Sequence, residues 1–474
     1  MRTIEPIDEA IVHGKGLQRS AGEAGRHLGE KLCRLHGREG KRVDPDVGVP
    51  PTVKGEDIER HDLVDRRDED LPARNAELGG NALCFATVGG PPNVADIDRG
   101  KRPGTLADFV DLVRLAQSFD VVQVISSAME PLDVPPELRH IETTWTQLVE
   151  SDKFPFMYAR GRRVVEQSFQ MMAVGHGISR EEFEKRPRCF TVINTNSPLQ
   201  LDRPMSRGII DFARAGQMLV ITPFTLAGAM APVSLAGALV LQNAEALAGV
   251  ALAQIVRPGA PVLYGAFTSN VDMKSGAPAF GTPEYVKAAI ASGQLARRYN
   301  LPWRSSSTNA SNWPDAQAVY ESQMSLWGAV LGGANLIIHA AGWLEGGLTA
   351  SFEKFIIDVE MLQGFAELFK PLTVDRAELA LEAIQEVGPA GHFFGSPHTL
   401  ERYQKAFYEP LLSDWRNYGA WQEAGAVDAT RRANAIWKRK LAEFTPPPMD
   451  PAVREALAEY RAKALAAGGA SLEE

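Results

Sequence analysis

The sequence predicts an α/β protein built on a (β/α)8 TIM barrel, with an N-terminal extension and C-terminal helices. Three observations favour this fold: short apolar runs alternate with helical patterns, about eight such runs follow one another, and polar residues gather where the runs end. Strands that alternate with helices form parallel sheets, and a barrel of this kind takes about 250 residues. A chain of 474 residues has room for one barrel with additions at both ends.

The predicted strands are short runs rich in β-branched, leucine and aromatic residues, a composition typical of strands that are buried on both faces. They are residues 121–127, 154–160, 189–197, 218–225, 262–270, 301–309, 335–343 and 391–396. Helical patterns separate them, and the first begins at Thr105 with Asp108 three residues later, the spacing of a capping box. A doubly wound sheet is the alternative fold, but it usually carries a glycine-rich phosphate loop after its first strand, and the sequence shows none.

The sequence divides into three parts by composition. Residues 1–80 are dense in glycine and charge and poor in large apolar side chains, which predicts a loosely ordered extension. Residues 81–446 carry the barrel, and residues 447–474 form a helical tail.

Composition and charge exclude several classes of protein. A net charge of −9 with a pI near 5.6 argues against nucleic-acid binding. Three widely separated cysteines and scattered histidines predict neither a disulfide framework nor a metal site. No apolar run of about 18 residues and no signal peptide pattern occurs, so we expect a cytoplasmic protein that does not enter a membrane.

The ends of the predicted strands carry the candidate site, because chemistry in this fold lies at the carboxyl ends of the strands. Rings and carboxylates in one concave site suit a cationic amine, and the glycines of the segment 335–347 leave space for a ligand. The candidate binding residues are Phe224, Tyr264, Asn270, Arg304, Asn312, Asp315, His339, Trp343, Glu345 and Phe394. Tyr264 and Phe267 lie on opposite faces of a strand, so at most one of them points into the barrel.

Each candidate also has a purely structural interpretation. His339 is equally suited to a hydrogen bond inside the core, Trp343 to packing at the rim and Glu345 to a solvated loop. Asp315 follows a proline and suits the first turn of a helix. Glycosidase chemistry with Asp272 and Glu345 is a further alternative, although strand-end clusters of acids are absent. No catalytic residue is assigned.

Six segments, ending with "GANLIIHAAGWLEGGLTASFEKFIIDVEM", resemble the trimethylamine methyltransferase family. The others are "GGPPNVADIDRG", "INTNSPL", "VITPFTLAGAMAPVSLAGAL", "LYGAFTSNVDMKSGAPAFGTPE" and "DAQAVYES". The resemblance runs from about residue 77 to about residue 450. It implies a (β/α)8 barrel that moves a methyl group from a methylamine to the cobalt of a corrinoid. That corrinoid (cobalamin) is carried by a cognate partner protein rather than bound tightly by this chain.

Two departures from the family refine the prediction. Archaeal members carry pyrrolysine, whereas this chain has only standard residues, including in the best-matching loop, 307–317. Members without pyrrolysine resemble glycine betaine methyltransferases. Residues 10–76 fit the family poorly, and both divergence and a reading-frame artefact would explain the misfit.

The chemistry favours the same substrate class. A quaternary ammonium leaves as a neutral tertiary amine and needs only positioning, so we expect a glycine betaine-like methyl donor. Its ammonium would contact the rings of Phe224, Tyr264, Trp343 and Phe394, with Glu345 or Asp315 as counter-charge. Its carboxylate would bind His339, Arg304 or Asn270.

Three further expectations stay open at this stage. Trimethylamine itself and a non-catalytic betaine-binding role are the alternatives to a betaine methyltransferase. A homo-oligomer is expected from the resemblance and from the nearly all-apolar segment 234–255.

Overall fold

Eight short parallel strands form a closed barrel in the computed structural model of the protein, which describes residues 78–472. Within that range the strands are β1 (Cys84–Thr87), β2 (Asn93–Asp96), β3 (Gly100–Pro103), β4 (Val124–Ile125), β5 (Phe154–Pro155), β6 (Phe190–Ile193), β7 (Met218–Ile221), β8 (Phe224–Ala227), β9 (Val262–Gly265), β10 (Phe267–Val271), β11 (Pro278–Ala279), β12 (Trp303–Ser306), β13 (Leu336–Ala341), β14 (Trp343–Leu344) and β15 (Thr349–Ser351). The barrel order is β5, β4, β1, β13, β12, β9, β7, β6, with every pairing parallel. A bridge between Phe156 and Phe190 joins the two edges and closes the sheet.

Helices follow every barrel strand along the chain, so the predicted (β/α)8 barrel is confirmed. They are α1 (Leu106–Gln117), α2 (Pro136–Val149), α3 (Arg162–Gly175), α4 (Arg180–Phe183), α5 (Arg203–Arg214), α6 (Leu235–Val256), α7 (Pro283–Arg298), α8 (Ala316–Leu331) and α9 (Phe352–Leu368). Beyond the barrel come α10 (Arg376–Leu379), α11 (Leu381–Val387), α12 (Pro397–Arg402), α13 (Tyr418–Glu423), α14 (Ala429–Ala442) and α15 (Pro451–Ala466). The predicted capping box opens α1, because Thr105 and Asp108 each accept the other's backbone N–H.

The barrel interior is filled by alternate residues of the strands. The inner cluster contains Cys84, Ala86, Val124, Phe154, Phe190, Met218, Val220, Leu263, Leu336 and Ile338. The residues between them, such as Tyr264, Trp303 and Ile337, belong instead to the cluster that packs against the helices. This period of two fixes which side chains face the interior.

The shorter strands form two small sheets beyond the carboxyl ends of the barrel strands. One contains β11, β10 and β8, and the other contains β14, β15, β2 and β3. Each of these strands follows β1, β7, β9 or β13 in the chain. They therefore build the rim around the end of the barrel where the candidate site is expected.

One predicted strand is wrong and one barrel strand was not predicted. Residues 391–396 form a turn between α11 and α12, where Phe394 is 85% exposed. The eighth barrel strand is instead β1, which pairs with β13 and β4. Its four residues are too few to show a pattern, and its pairing depends on contacts far along the chain.

Helix α6 is the one helix among the described residues that is long and apolar enough to cross a membrane. Here it packs against α5, α7, β8 and β9 as a barrel helix. Val240 and Ile255 on α6 are 71% and 80% exposed. The expectation of a disordered or frame-shifted extension at residues 1–80 falls almost wholly outside the described residues.

Candidate functional site

Four predicted site residues meet at the carboxyl end of the barrel, around the ring of Phe267. The Phe224 and Phe267 ring centroids lie 5.1 Å apart, and the Arg304 Cζ atom lies 5.6 Å from the Phe267 centroid. The His339 ring centroid lies 6.0 Å from the Phe267 centroid and 4.3 Å from the Trp343 centroid. Strands and loops from different parts of the chain thus bring one cation and several rings together.

Arg304 faces the barrel interior. It follows Trp303, which packs toward the helices, and it lies in register with the inward-facing Leu336. Its side chain is buried, its Nε has no hydrogen-bond partner, and no carboxylate pairs with it within residues 78–472. Burial lowers the pKa of Arg304 to about 10, against the opposing effect of Tyr285, so the group remains a cation at neutral pH. A buried cation without a counter-charge is costly unless a ligand supplies one.

His339 is held in a defined orientation as a neutral ring. The backbone N–H of Gly89 donates to its Nδ1 at 3.1 Å, so the proton of the neutral ring is assigned to Nε2. Burial, followed by the charge of Arg304, holds the pKa of His339 well below its usual value. Its backbone has a φ of 63°, in the left-handed region that few residues other than glycine adopt. The site therefore contains a hydrogen-bonding imidazole that is uncharged at neutral pH.

The Trp343 indole is fixed by a reciprocal pair of hydrogen bonds. Its Nε1 donates to the Asn309 carbonyl at 2.9 Å, and Asn309 Nδ2 donates to the Trp343 carbonyl at 2.6 Å. Sterics require a glycine at position 347 of this loop, because an added Cβ would lie 2.4 Å from the Trp343 indole. The small residues of the loop thus allow the backbone to approach the ring closely.

Glu345 already has a cationic partner. Lys101 Nζ contacts its two carboxylate oxygens at 2.7 and 2.6 Å, and Thr349 donates to it at 2.6 Å. Burial acts to raise the pKa of Glu345, but the hydrogen bonds from Lys101 and Thr349 and the charge of Lys101 outweigh it, so the pKa is lowered. The carboxylate is therefore ionised and largely neutralised where it stands.

Two further predicted residues have partners within the protein. The Tyr264 hydroxyl donates to Asn243 and accepts from Gln242, both on α6, so it faces the helices and not the interior. Burial raises the pKa of Tyr264 above its usual value. Asn270, on β10, accepts a hydrogen bond from Thr282 at 3.0 Å. Of the pair Tyr264 and Phe267, Phe267 is the one that joins the site.

The remaining three predicted residues lie away from the cluster. Asp315 is the N-cap of α8, where it accepts from the Ala318 amide and the Ser311 hydroxyl, both at 3.1 Å. Asn312 is exposed, and Phe394 lies in the exposed turn after α11. The structural interpretation of Asp315 is therefore the one that the geometry favours.

Four residues of the site were not among the predicted ones. The Phe280 ring centroid lies 5.5 Å from that of Phe267 and 6.1 Å from that of Trp343. The Tyr285 ring centroid lies 6.3 Å from that of Phe267. Asn309 fixes Trp343, as described above. The alternation argument does not decide the direction of Phe267, because Tyr264 lies on β9 of the barrel and Phe267 begins β10 of a separate small sheet. Phe280 follows β11 in a loop whose path no local pattern reveals.

Residues 78–472 contain no group of three histidine, cysteine, aspartate or glutamate side chains that could hold a metal ion. In the described part of the chain, the cluster also contains no carboxylate side chain. Its chemical capacity is to bind and orient a small ligand that has an anionic end and an apolar or cationic end.

Comparisons with known proteins identify the family of the chain. The family model described as trimethylamine methyltransferase (MTTB) matches residues 66–469. A glycine betaine methyltransferase of Desulfitobacterium hafniense (strain Y51) is 36% identical over 394 residues, which cover 83% of this chain and 82% of that protein. A trimethylamine methyltransferase of Desulfitobacterium hafniense (strain DSM 10664 / DCB-2) is 30% identical over 380 residues, 80% of this chain and 76% of that protein.

A solved structure also resembles the chain. The Methanosarcina barkeri monomethylamine methyltransferase aligns over 84% of this chain and 76% of its own, with a TM-score of 0.43 and 8% identity. The barrel assignment rests on the strand order given above, and the family assignment rests on the sequence matches. The chain belongs to the trimethylamine methyltransferase family.

Proposed function

We propose that this chain transfers a methyl group from a glycine betaine-like quaternary amine to the Co(I) corrinoid of a partner protein. The observation that carries the proposal is Arg304, a buried cation that faces the barrel interior without a carboxylate partner among the described residues. A betaine brings the missing carboxylate, whereas trimethylamine brings none. The similarity to a glycine betaine methyltransferase supports the same substrate class.

The carboxylate end of the substrate is assigned to Arg304. A guanidinium binds a carboxylate through two parallel hydrogen bonds, and such bonds are stronger when both groups are charged and shielded from water. His339 Nε2–H is a second donor near the same place, because His339 and Arg304 both contact the Phe267 ring. Asn270 is a weaker candidate, since its side chain is already bonded to Thr282.

The ammonium end is assigned to the rings of Trp343, Phe224 and Phe267. A quaternary ammonium bound against an aromatic face gains about 0.5–2 kcal/mol per ring, depending on desolvation. Because His339 is neutral, it adds no repulsion to this cation. Glu345 contributes less than an unpaired acid would, because Lys101 neutralises it.

The residues of this chain act by positioning and desolvation. The corrinoid, when its protein is bound, supplies the nucleophile for the methyl carbon. The site has to hold the N–CH3 bond in line with the open end of the barrel. This alignment reduces the entropic cost of bringing the methyl carbon and the corrinoid nucleophile together. Loss of the methyl group leaves a neutral tertiary amine, so no proton donor is required. A cytoplasmic location fits a nucleophile that needs reducing surroundings.

Trimethylamine is the second candidate substrate. The family description and a relative of that name at 30% identity favour it. A tertiary amine makes no use of Arg304, however, and it is a poor methyl donor unless another group activates it. A binding protein without turnover is the third candidate, and it shares the whole site with the first.

The deciding experiment is a substrate panel with the purified full-length chain. Glycine betaine, trimethylamine, choline and tetramethylammonium are each supplied with added Co(I) cobalamin, whose methylation is followed by absorbance. Turnover of glycine betaine above the others supports the proposal. Turnover of trimethylamine alone overturns it, and tight betaine binding in calorimetry without any transfer identifies a binding protein instead.

A further inference from the structure

A fully buried ion pair lies behind the Trp343 loop. Lys354 and Asp358 are one turn apart on α9, their side chains are 0% and 1% exposed, and their charged ends contact each other directly. Burial raises the pKa of Asp358 and lowers the pKa of Lys354. Replacing such a buried pair with apolar residues of similar size is often neutral or stabilising. The stability of α9 alone therefore does not explain why two charges stand there.

Asp358 also bonds directly to the turn before Trp343, whereas Lys354 bonds to Ser322 on α8. Asp358 Oδ2 accepts the backbone N–H of Gly342 at 2.8 Å, where β13 turns into β14. Lys354 Nζ contacts Ser322 Oγ at 3.0 Å, and Ser322 Oγ accepts from Asn309 Nδ2 at 3.1 Å. Asn309 in turn makes the reciprocal hydrogen bonds to Trp343 described above.

We propose that Asp358, held in place by Lys354, is a positioning residue that sets the orientation of the Trp343 ring through the Gly342 amide. Asp358 fixes the backbone immediately before Trp343. Lys354 keeps the Asp358 carboxylate in place. The proposal rests on the proposed function in one respect, since it treats Trp343 as a wall of the substrate site.

The Gly342 hydrogen bond is the step on which the proposal depends. Gly342 has a φ of 95°, so the chain direction changes at this residue. The Ser351 amide also donates to the Gly342 carbonyl at 2.9 Å, so both sides of the turn are held. A shift of the Gly342 peptide moves the Cα of Trp343 directly. The Trp343 and His339 ring centroids are only 4.3 Å apart, so the packing leaves little room for such a shift.

The test compares two double variants that are equally uncharged. Lys354→Met with Asp358→Asn keeps an oxygen acceptor for the Gly342 N–H. Lys354→Met with Asp358→Leu has nearly the same branched shape but no acceptor. Any effect of removing the charges is common to both, so the difference between them reports the Gly342 hydrogen bond.

We expect the leucine variant to raise the KM for glycine betaine about tenfold with little change in kcat, the loss expected when one cation–π face is misplaced. We expect the asparagine variant to stay within about threefold of the unmodified protein, since one neutral hydrogen bond replaces a charged one. Equal KM values for the two variants, whether raised or unchanged, overturn the proposal.

A second readout does not depend on turnover. In protein labelled with 5-fluorotryptophan, the 19F resonance of Trp343 is identified as the one that disappears in Trp343→Phe. That resonance should move or broaden in the leucine variant and stay in place in the asparagine variant, without any substrate. An unmoved resonance in both overturns the proposal even if betaine is not the substrate, so this failure is separate from failure of the proposed function.

If the leucine variant does not fold, Lys354→Met with Asp358→Val replaces it, because valine is smaller than leucine and also lacks an acceptor for the Gly342 N–H. A shifted Trp343 resonance in the folded valine variant, together with an unshifted one in the asparagine double variant, supports the proposal. An unshifted resonance in the valine variant overturns it.

Discussion

Replacing Arg304 with methionine should abolish tight binding of carboxylate-bearing donors while sparing other quaternary amines. Methionine keeps the length of the side chain and removes the charge. The lost interaction is a desolvated guanidinium–carboxylate contact, because Arg304 is 2% exposed and has no other carboxylate partner in the described structure. Truncating one side of such a pair costs about 3 kcal/mol, which corresponds to roughly a hundredfold rise in Kd.

The measurement is calorimetric binding of glycine betaine and of tetramethylammonium to the unmodified chain, Arg304→Met and Arg304→Lys. Lysine keeps the charge without the two-pronged geometry, so it should recover part of the betaine affinity. Tetramethylammonium should bind Arg304→Met at least as well as the unmodified chain, because a like charge has been removed. Equal weakening of both ligands, or no weakening of betaine, would refute the assignment of Arg304 to the substrate carboxylate.

Three further predictions concern the rest of the site and the surface. Trp343→Ala should weaken betaine binding by about 1–2 kcal/mol, roughly tenfold, and Trp343→Phe should keep part of the affinity, as measured by calorimetry. Since the pKa of His339 is lowered on folding, protonation favours the unfolded chain. The free energy of unfolding should therefore fall as the pH drops below about 6.5, and less so in His339→Asn when followed by denaturant titration. Light scattering at micromolar concentration should show an oligomer, because Val240 and Ile255 leave apolar surface exposed on α6; a monomer would contradict this.

The barrel could be predicted from the sequence because its elements are encoded locally. Seven strands appear as apolar runs, and the helices between them carry their own periodic patterns. Strand β1 could not be found in this way, since its four residues form a strand only by pairing with β13 and β4. The exposed run at residues 391–396 has the same local composition but no neighbouring strand to pair with.

The site was predictable in part for the same reason. Arg304, His339, Trp343 and Phe224 lie at or just beyond the ends of visible strands, so the fold brings them together. Which face Tyr264 presents depends on the phase of the alternation, which only the packing against α6 decides. The partner of Glu345 was out of reach, because Lys101 lies 244 residues away in the sequence.

The charges that the structure leaves unpaired argue for a zwitterion over a simple amine. Glu345 is neutralised by Lys101, Asp315 caps a helix and His339 is neutral. Within residues 78–472, Arg304 therefore gives the ring cluster a net positive charge. Trimethylamine is protonated at neutral pH and would bring a second positive charge into this low-dielectric space. Glycine betaine is neutral overall, and its carboxylate would meet Arg304, which has no carboxylate partner among the described residues. Lower salt should therefore leave betaine affinity nearly constant, since the contact is buried and the ligand has no net charge.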